Sequence, residues 1–252
     1  MFDNNKIPKI VHFCWFGPAD YSLTIKRCIS SWKHHLSDYE IRFWNEDSFD
    51  IKNHPFVSAA YQAGMFAFVS DYVRMYALNK YGGIYLDTDV EVYKDFIPLL
   101  SFDFFIGLED KGRFGTSAIG CHKEHWLTEK MLNLYDNLTF DSSDAKSFVN
   151  VNFVSQFLLE HNFSEENQKE IINNECKLPI GTFGTSKYNT EMPEVVYAKH
   201  LFDGSWNRKK KGTLSNFSRY LFKTGLSTDI TSLMKIAYYK AQSYKTRKSN
   251  ES

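Results

Sequence analysis

Residues 82–93 read GGIYLDTDVEVY, and no other stretch limits the fold so tightly. A glycine pair stops a helix, and the residues after it alternate as a strand does. The pattern predicts a helix from about Met65 to Tyr81, with Phe68, Tyr72, Met75 and Leu78 at helical spacing, and then a strand over Ile84–Val92. If that strand is continuous, Tyr85, Asp87, Asp89 and Glu91 share one face, and the two aspartates lie about 6–7 Å apart at Cα. Carboxylates that close repel unless something positive lies between them. A divalent cation with open positions for phosphate oxygens is the natural filler. A bare acid-x-acid triplet equally suits a solvated strand end. An EF-hand loop starting at Asp87 is excluded, because Val92 and Pro98 stand where that loop needs Gly and Glu. An aspartyl-phosphate phosphatase is a poor match, because Glu91 stands where Thr or Val is wanted.

The helix before the glycines carries Asp71 and Arg74, spaced i, i+3 and so on one face. Such pairs are commonly exposed and worth about 0–1 kcal/mol. Here the helix leads directly into the acidic strand, which brings the pair beside the same site. A carboxylate for sugar hydroxyls and a guanidinium for phosphate would suit a sugar diphosphate.

Elsewhere, Ile7–Phe13 reads as a first buried strand, broken by the turn residues Trp15–Pro18. A helix follows over Ser22–Leu36, with Ser22 as its N-cap and Leu23, Ile25, Ile29 and Trp32 available for packing. Glu40–Trp44 alternates as a second strand. Strand, helix, strand in that order predicts a parallel α/β unit with a right-handed crossover. Short strands are expected over Asp103–Leu108, Ser117–Cys121 and Val195–His200, and helices over Glu124–Tyr135 and Phe153–His161. There is no internal repeat.

The 252 residues suit one large domain with a short appendage. Thirty basic and thirty acidic side chains cancel, which weighs against a generic nucleic-acid binder. That balance hides a polarised chain. Asn207–Ser252 holds 11 Lys or Arg and two acids, against 19 basic and 28 acidic side chains before it. Within that tail, Ile230, Leu233, Met234, Ala237, Tyr238 and Ala241 recur at helical spacing among lysines, which predicts a basic amphipathic helix. Cys14, Cys28, Cys121 and Cys176 show no ligand spacing and read as reduced, buried thiols. The N-terminus lacks the layout of a secretory signal, and no run of 18 apolar residues occurs.

Three segments in order, IPKIVHFCWFG, FVSDYVRMYALNKYGGIYLDTDVEVY and YAKHLFDGSW, resemble the signatures of glycosyltransferase family 32 over roughly Ile7–Trp206. SDxxR and GGxYxDxD at this spacing make the middle block specific. The resemblance implies an α/β GT-A-like fold, a Rossmann-like nucleotide-sugar-binding sheet flanked by helices, here followed by the basic helical tail. It implies a nucleotide-sugar donor of the UDP-hexose or GDP-mannose type, Mn²⁺ or Mg²⁺, and retention of anomeric configuration. By the same resemblance Trp15 stacks on the donor base, and Asp71 and Arg74 contact the donor sugar and its phosphate side. Tyr85 and Asp87 match donor-contacting positions, Asp89 matches the direct metal ligand, and His200 resembles a late one beside Asp87 and Asp89. Ser205 and Trp206 match a segment that closes on metal and diphosphate. Asp71, Arg74, Asp87 and Asp89 are thereby the residues expected to carry catalysis. Glu109 and Asp110, after a strand, are candidates near the acceptor, and Asn150 and Asn152, before a helix, are candidate donor-site residues.

The expectation is therefore a catalytic domain over 1–206 and a tail over 207–252. The expected enzyme transfers a sugar to a growing capsular, exopolysaccharide or lipopolysaccharide glycan, with a lipid-linked acceptor. It is expected to be cytoplasmic, with the tail on an anionic membrane surface at the inner face of the cytoplasmic membrane, and without a nucleic-acid partner. A toxin-like transferase acting on a protein and a non-catalytic sugar- or lipid-binding protein are the alternatives.

Overall fold

The structure is a computed structural model that describes residues 6–184 and 193–203. Ser205, Trp206 and the basic tail lie outside the described residues. The chain opens with β1 (Ile10–Cys14), α1 (Leu23–His35) and β2 (Glu40–Trp44). Ser22 caps α1 as expected, its Oγ accepting from Ile25 N at 3.2 Å, and Lys33 places positive charge against the negative end of the helix dipole. Ile25 and Trp32 are fully buried, whereas Leu23, expected to pack, is 86% exposed. Leu23 is the first residue of α1, and its side chain faces out because the buried stripe runs through Ile25, Cys28 and Trp32.

Two helices come next, α2 (Pro55–Gln62) and α3 (Phe66–Tyr81). Nothing was expected where α2 lies. It is two turns long, too short for its period to stand out, and starts on Pro55, with His54 as its cap. The α3 helix ends at Gly82, whose N–H reaches Leu78 O at 2.8 Å. Gly82 and Gly83 both hold positive φ, at +64° and +106°. A Cβ on Gly83 would lie 2.6 Å from Ile10 O, so conformation and space both demand glycine. That pair turns α3 directly into β3 (Gly83–Leu86).

The expected strand over Ile84–Val92 is two strands. β3 ends at Leu86, a turn carries Asp87 and Asp89, and β4 (Val90–Val92) belongs to another sheet. Thr88, which interrupts the apolar alternation, marks the break. The remaining elements are β5 (Phe104–Asp110), β6 (Arg113–Cys121), α4 (Trp126–Asp136), α5 (Asn150–Glu160), β7 (Glu170–Ile172), β8 (Glu175–Leu178) and β9 (Ala198–His200).

Seven strands form one sheet in the order β2-β1-β3-β6-β5-β8-β7, and β4 pairs antiparallel with β9 in a second. β1 lies parallel to β2 and β3, as a strand–helix–strand unit requires, while β6 runs antiparallel to β3 and makes the sheet mixed. Helices α2 to α5 cover one face with Tyr85, Phe104, Ile106 and Ile119 beneath them. Trp32 of α1, Leu36 just after it, and Val90 and Val92 of β4 cover the other, over Val11, Ile84, Leu86 and Phe105. Neighbouring residues of β3 and β5 thus enter opposite cores, which is why these strands are apolar almost throughout. The four cysteines are free and buried.

Candidate active site

The site forms at the C-terminal ends of β1 and β3, where a parallel sheet leaves room for a ligand. Asp87 N donates to Ser117 O of β6 at 2.8 Å, and Val90 N to Asp87 O at 3.0 Å, closing the turn. The chain then runs antiparallel to β9, and Val90 stands opposite His200. Three contacts fix Asp89. His200 Nε2 lies 3.2 Å from Oδ1, Asp203 N donates to Oδ2 at 2.7 Å, and Leu201 N donates to its carbonyl at 2.9 Å.

Among the described residues, Asp87, Asp89 and His200 bring ligand atoms within 4.8 Å of one another, a group that could hold a metal ion. Two carboxylates and an imidazole, all half-buried, suit a divalent cation that keeps positions open for oxygen ligands. Burial works to raise the Asp89 carboxyl, but the hydrogen bond and charge of His200 and the Asp203 N–H outweigh it, so its pKa lies below the ordinary range. Held ionised, with one oxygen on a backbone N–H, the carboxylate is oriented as ligands commonly are by the groups behind them. The turn, not a shared strand face, creates this group. In a continuous strand Glu91 would join it; instead Glu91 binds Arg27 at 2.9 Å.

A second cluster adjoins the first. Arg74 Nη2 lies 3.0 Å from Asp71 Oδ1 and 3.0 Å from Asp87 Oδ1, while Nη1 donates to Thr116 O at 2.8 Å and Thr116 Oγ1 at 2.9 Å. The pair is no surface ornament: the Asp71 and Arg74 side chains are 13% and 6% exposed. Burial, partly offset by Arg74 and reinforced by Asp87, pushes Asp71 up to about 7. Tyr85, expected to touch the donor, is 1% exposed, and its ring centroid lies 4.5 Å from the Arg74 guanidinium carbon. Burial also raises the Cys14 thiol, which sits against Tyr85 and is inert as a nucleophile.

Trp15 follows β1 at the same sheet edge. Its Nε1 donates to Ala19 O at 2.6 Å and its ring meets Tyr21 edge-on at 5.0 Å. Glu109 and Asp110 are the last residues of β5 rather than loop residues. Glu109 binds Arg113 at 3.1 Å and lines a depression with Gly107, Gly115, Ser117, Phe183 and His200. Asn150 and Asn152 lie in the first turn of α5. Asn150 is buried and accepts from Thr116 Oγ1 at 3.2 Å; Asn152 accepts from Arg113 at 3.4 Å. Sequence reasoning missed Thr116 and Asp203. A lone Thr-Ser pair inside the apolar run FGTSAIGC was the available cue for the first; a backbone N–H leaves none for the second.

Residues 23–106 match the family model described as glycosyltransferase sugar-binding region containing DXD motif. That match covers about a third of the chain, which is thus similar there to the sugar-binding region of DXD-containing glycosyltransferases. Inositol phosphoceramide mannosyltransferase 3 of Schizosaccharomyces pombe is 30% identical over 136 residues, which cover 51% of this chain and 37% of the relative. The alignment thus spans little more than a third of that protein. The solved PaToxG glycosyltransferase superposes with a TM-score of 0.50 at 19% identity, over 62% of this chain and 69% of that one. That likeness supports the GT-A-like α/β fold. The apo form of the glycosyltransferase GlyE of Streptococcus pneumoniae TIGR4 has a TM-score of 0.48 at 12% identity, covering 92% of this chain and 64% of that one.

Proposed function

We propose that this chain is a metal-dependent, retaining glycosyltransferase that moves a sugar from a nucleotide-sugar donor to a growing surface glycan, its catalytic part lying within residues 1–206. The observation that carries the reading is the convergence of Asp87, Asp89 and His200 beside the buried Asp71–Arg74 pair, inside and next to the DXD region. Asp87, Asp89 and His200 would hold Mn²⁺ or Mg²⁺. When bound, that cation supplies the positive charge that stabilises a leaving diphosphate.

The other groups bind and orient. Trp15, at the end of β1, would stack on the donor base. Asp71 engages Arg74 through Oδ1, and its second oxygen is the atom we assign to a donor-sugar hydroxyl. Arg74 is committed to two carboxylates and a carbonyl, so its charge stabilises the site at short range. Ser205 and Trp206 remain assigned to a closing segment. In the reaction the bond from the anomeric carbon to phosphate oxygen breaks and the bond to the acceptor oxygen forms on the same face. The acceptor proton passes to the leaving phosphate oxygen. Among the described residues no carboxylate of the site stands out as a covalent nucleophile, and same-face substitution needs none.

The mannosyltransferase activity named for the fission-yeast relative supports a mannosyl donor, of the GDP-mannose type rather than UDP-hexose, and an acceptor carried on a lipid. A lipid-linked capsular or lipopolysaccharide glycan at the inner face of the cytoplasmic membrane fits that chemistry, with the basic segment 207–252 resting on anionic headgroups. No helix among the described residues is long and apolar enough to cross a membrane. A panel of nucleotide sugars, scored for Mn²⁺-dependent release of nucleoside diphosphate, tests the activity. Release with one donor and none after Asp89→Asn is expected, whereas no release with any donor would overturn the reading. Proton NMR of the product tests retention, and a covalent glycosyl-enzyme on Asp or Glu would refute same-face substitution.

A further inference from the structure

The least conspicuous polar residue of the site has the most consequential contacts. Thr116 lies in β6, 3% exposed, among apolar neighbours. Both its carbonyl and its hydroxyl accept from Arg74 Nη1, at 2.8 and 2.9 Å. With its oxygen accepting from the guanidinium, the hydroxyl proton is directed to Asn150 Oδ1, 3.2 Å away in the first turn of α5. Three elements, α3, β6 and α5, therefore meet on one hydroxyl. The far side of the same guanidinium is Nη2, which holds Asp71 and Asp87 at 3.0 Å each. A guanidinium is planar and rigid, so fixing Nη1 fixes where Nη2 points.

Apart from the two carboxylates, Arg74 is held by the Thr116 oxygens and by the Tyr85 ring, whose centroid lies 4.5 Å from the guanidinium carbon, and the ring contact does not fix the direction of each N–H. Its Nε is buried without a hydrogen-bond partner among the described residues, as is Asn150 Nδ2. An unanchored guanidinium would rotate to satisfy Nε and release one of the carboxylates. We propose that Thr116 is a positioning residue: its hydroxyl, oriented by Asn150, locks Arg74 in the rotamer that holds Asp71 and Asp87 at their present separation. Loss of the hydroxyl leaves the carbonyl bond, the methyl packing and the fold, but frees the guanidinium to turn.

Thr116→Val keeps volume and branching, and Thr116→Ser keeps the hydroxyl. Nitrogen–proton NMR of the Arg74 guanidinium, assigned by its loss in Arg74→Lys, reads the lock without donor or metal. Separate, slowly exchanging Nη–H signals are expected in the parent protein and in Thr116→Ser, and exchange-broadened signals in Thr116→Val. The functional arm rests on the transferase reading above. There, Thr116→Val should lower kcat for Mn²⁺-dependent nucleoside diphosphate release about tenfold, the usual scale for a hydrogen bond to a charged group. Donor KM should change less than about threefold, and Thr116→Ser should recover to within about twofold of the parent. Unchanged guanidinium signals in Thr116→Val, or Thr116→Ser as impaired as Thr116→Val, would overturn the proposal. If the parent releases no nucleoside diphosphate, the transferase reading fails and the NMR arm still decides the role of Thr116. Should Thr116→Val not fold, Asn150→Ala removes the acceptor that orients the hydroxyl. It should broaden the same signals, and parent-like signals there would refute the coupling.

Discussion

Half-buried Asp89 and fully buried His12 show how differently two polar residues can act. We assign Asp89 to metal ligation: its carboxylate is held ionised by His200 and oriented by the Asp203 N–H. Asp89→Asn is nearly isosteric and should abolish metal-dependent donor turnover, with a thermal midpoint within a few degrees of the parent; full turnover would remove Asp89 from the site. His12 is structural. Its Nε2 donates to Gly82 O at 2.8 Å and its Nδ1 accepts from Trp44 Nε1 at 3.2 Å, so both nitrogens are used in the neutral form. Burial lowers its pKa from 6.5 to about 4. Between those values the unfolded chain binds a proton that the folded chain refuses. The stabilisation from neutral His12 is therefore complete above about pH 6.5 and is lost as pH falls toward 4, by roughly 3 kcal/mol in all. Urea unfolding at about pH 7 and about pH 4.5 should show a steeper loss in the parent than in His12→Asn, and parallel losses would contradict the assignment.

At the scale of elements, the decisive device is the passage from α3 through Gly82-Gly83 into β3. It sets Asp71 and Arg74 on the helix and Asp87 just past the strand, so that one guanidinium reaches both carboxylates. Gly83→Ala would force a Cβ to within 2.6 Å of Ile10 O at a φ of +106°. A destabilisation of at least about 2 kcal/mol is expected, read as a lower urea midpoint at unchanged slope. Most of this passage was legible in the sequence, because helix stop, acid pair and i, i+3 spacing are local signals. The continuity expected for Ile84–Val92 was wrong for a non-local reason. Alternation alone cannot distinguish one strand from two that pair with different partners, and β4 leaves the main sheet because β9 is there to receive it. β8 was invisible for a related reason: Glu175 and Lys177 are buried charges, compensated by His125 at 3.0 Å and Glu170 at 2.8 Å, contacts that only the folded chain reveals.

For the whole molecule, charge is the organising quantity. Neutrality conceals a body with an excess of acids and a basic segment after Trp206, which we assign to anionic lipid. The full chain should co-sediment with vesicles containing anionic lipid, and less so at high salt. A chain truncated after Lys211 should not, and equal, negligible binding by both would remove the membrane reading. Within the acidic body, the half-buried group of Asp87, Asp89 and His200 is where we propose that a divalent cation binds.

By itself the sequence determined what short-range chemistry controls. The Ser22 cap, the α3 helix with its glycine stop, the acid-x-acid pair and the resemblance to DXD-containing glycosyltransferases all come from spacings within a few turns of chain. Only the tertiary structure decided that the acidic strand breaks, that His200 meets Asp89, that Arg74 is buried and shared, and that Thr116 bonds to it. Those outcomes depend on which distant segment packs against which. Burial and partner distance, set by that packing, turn the same side chains from solvated charges into a site.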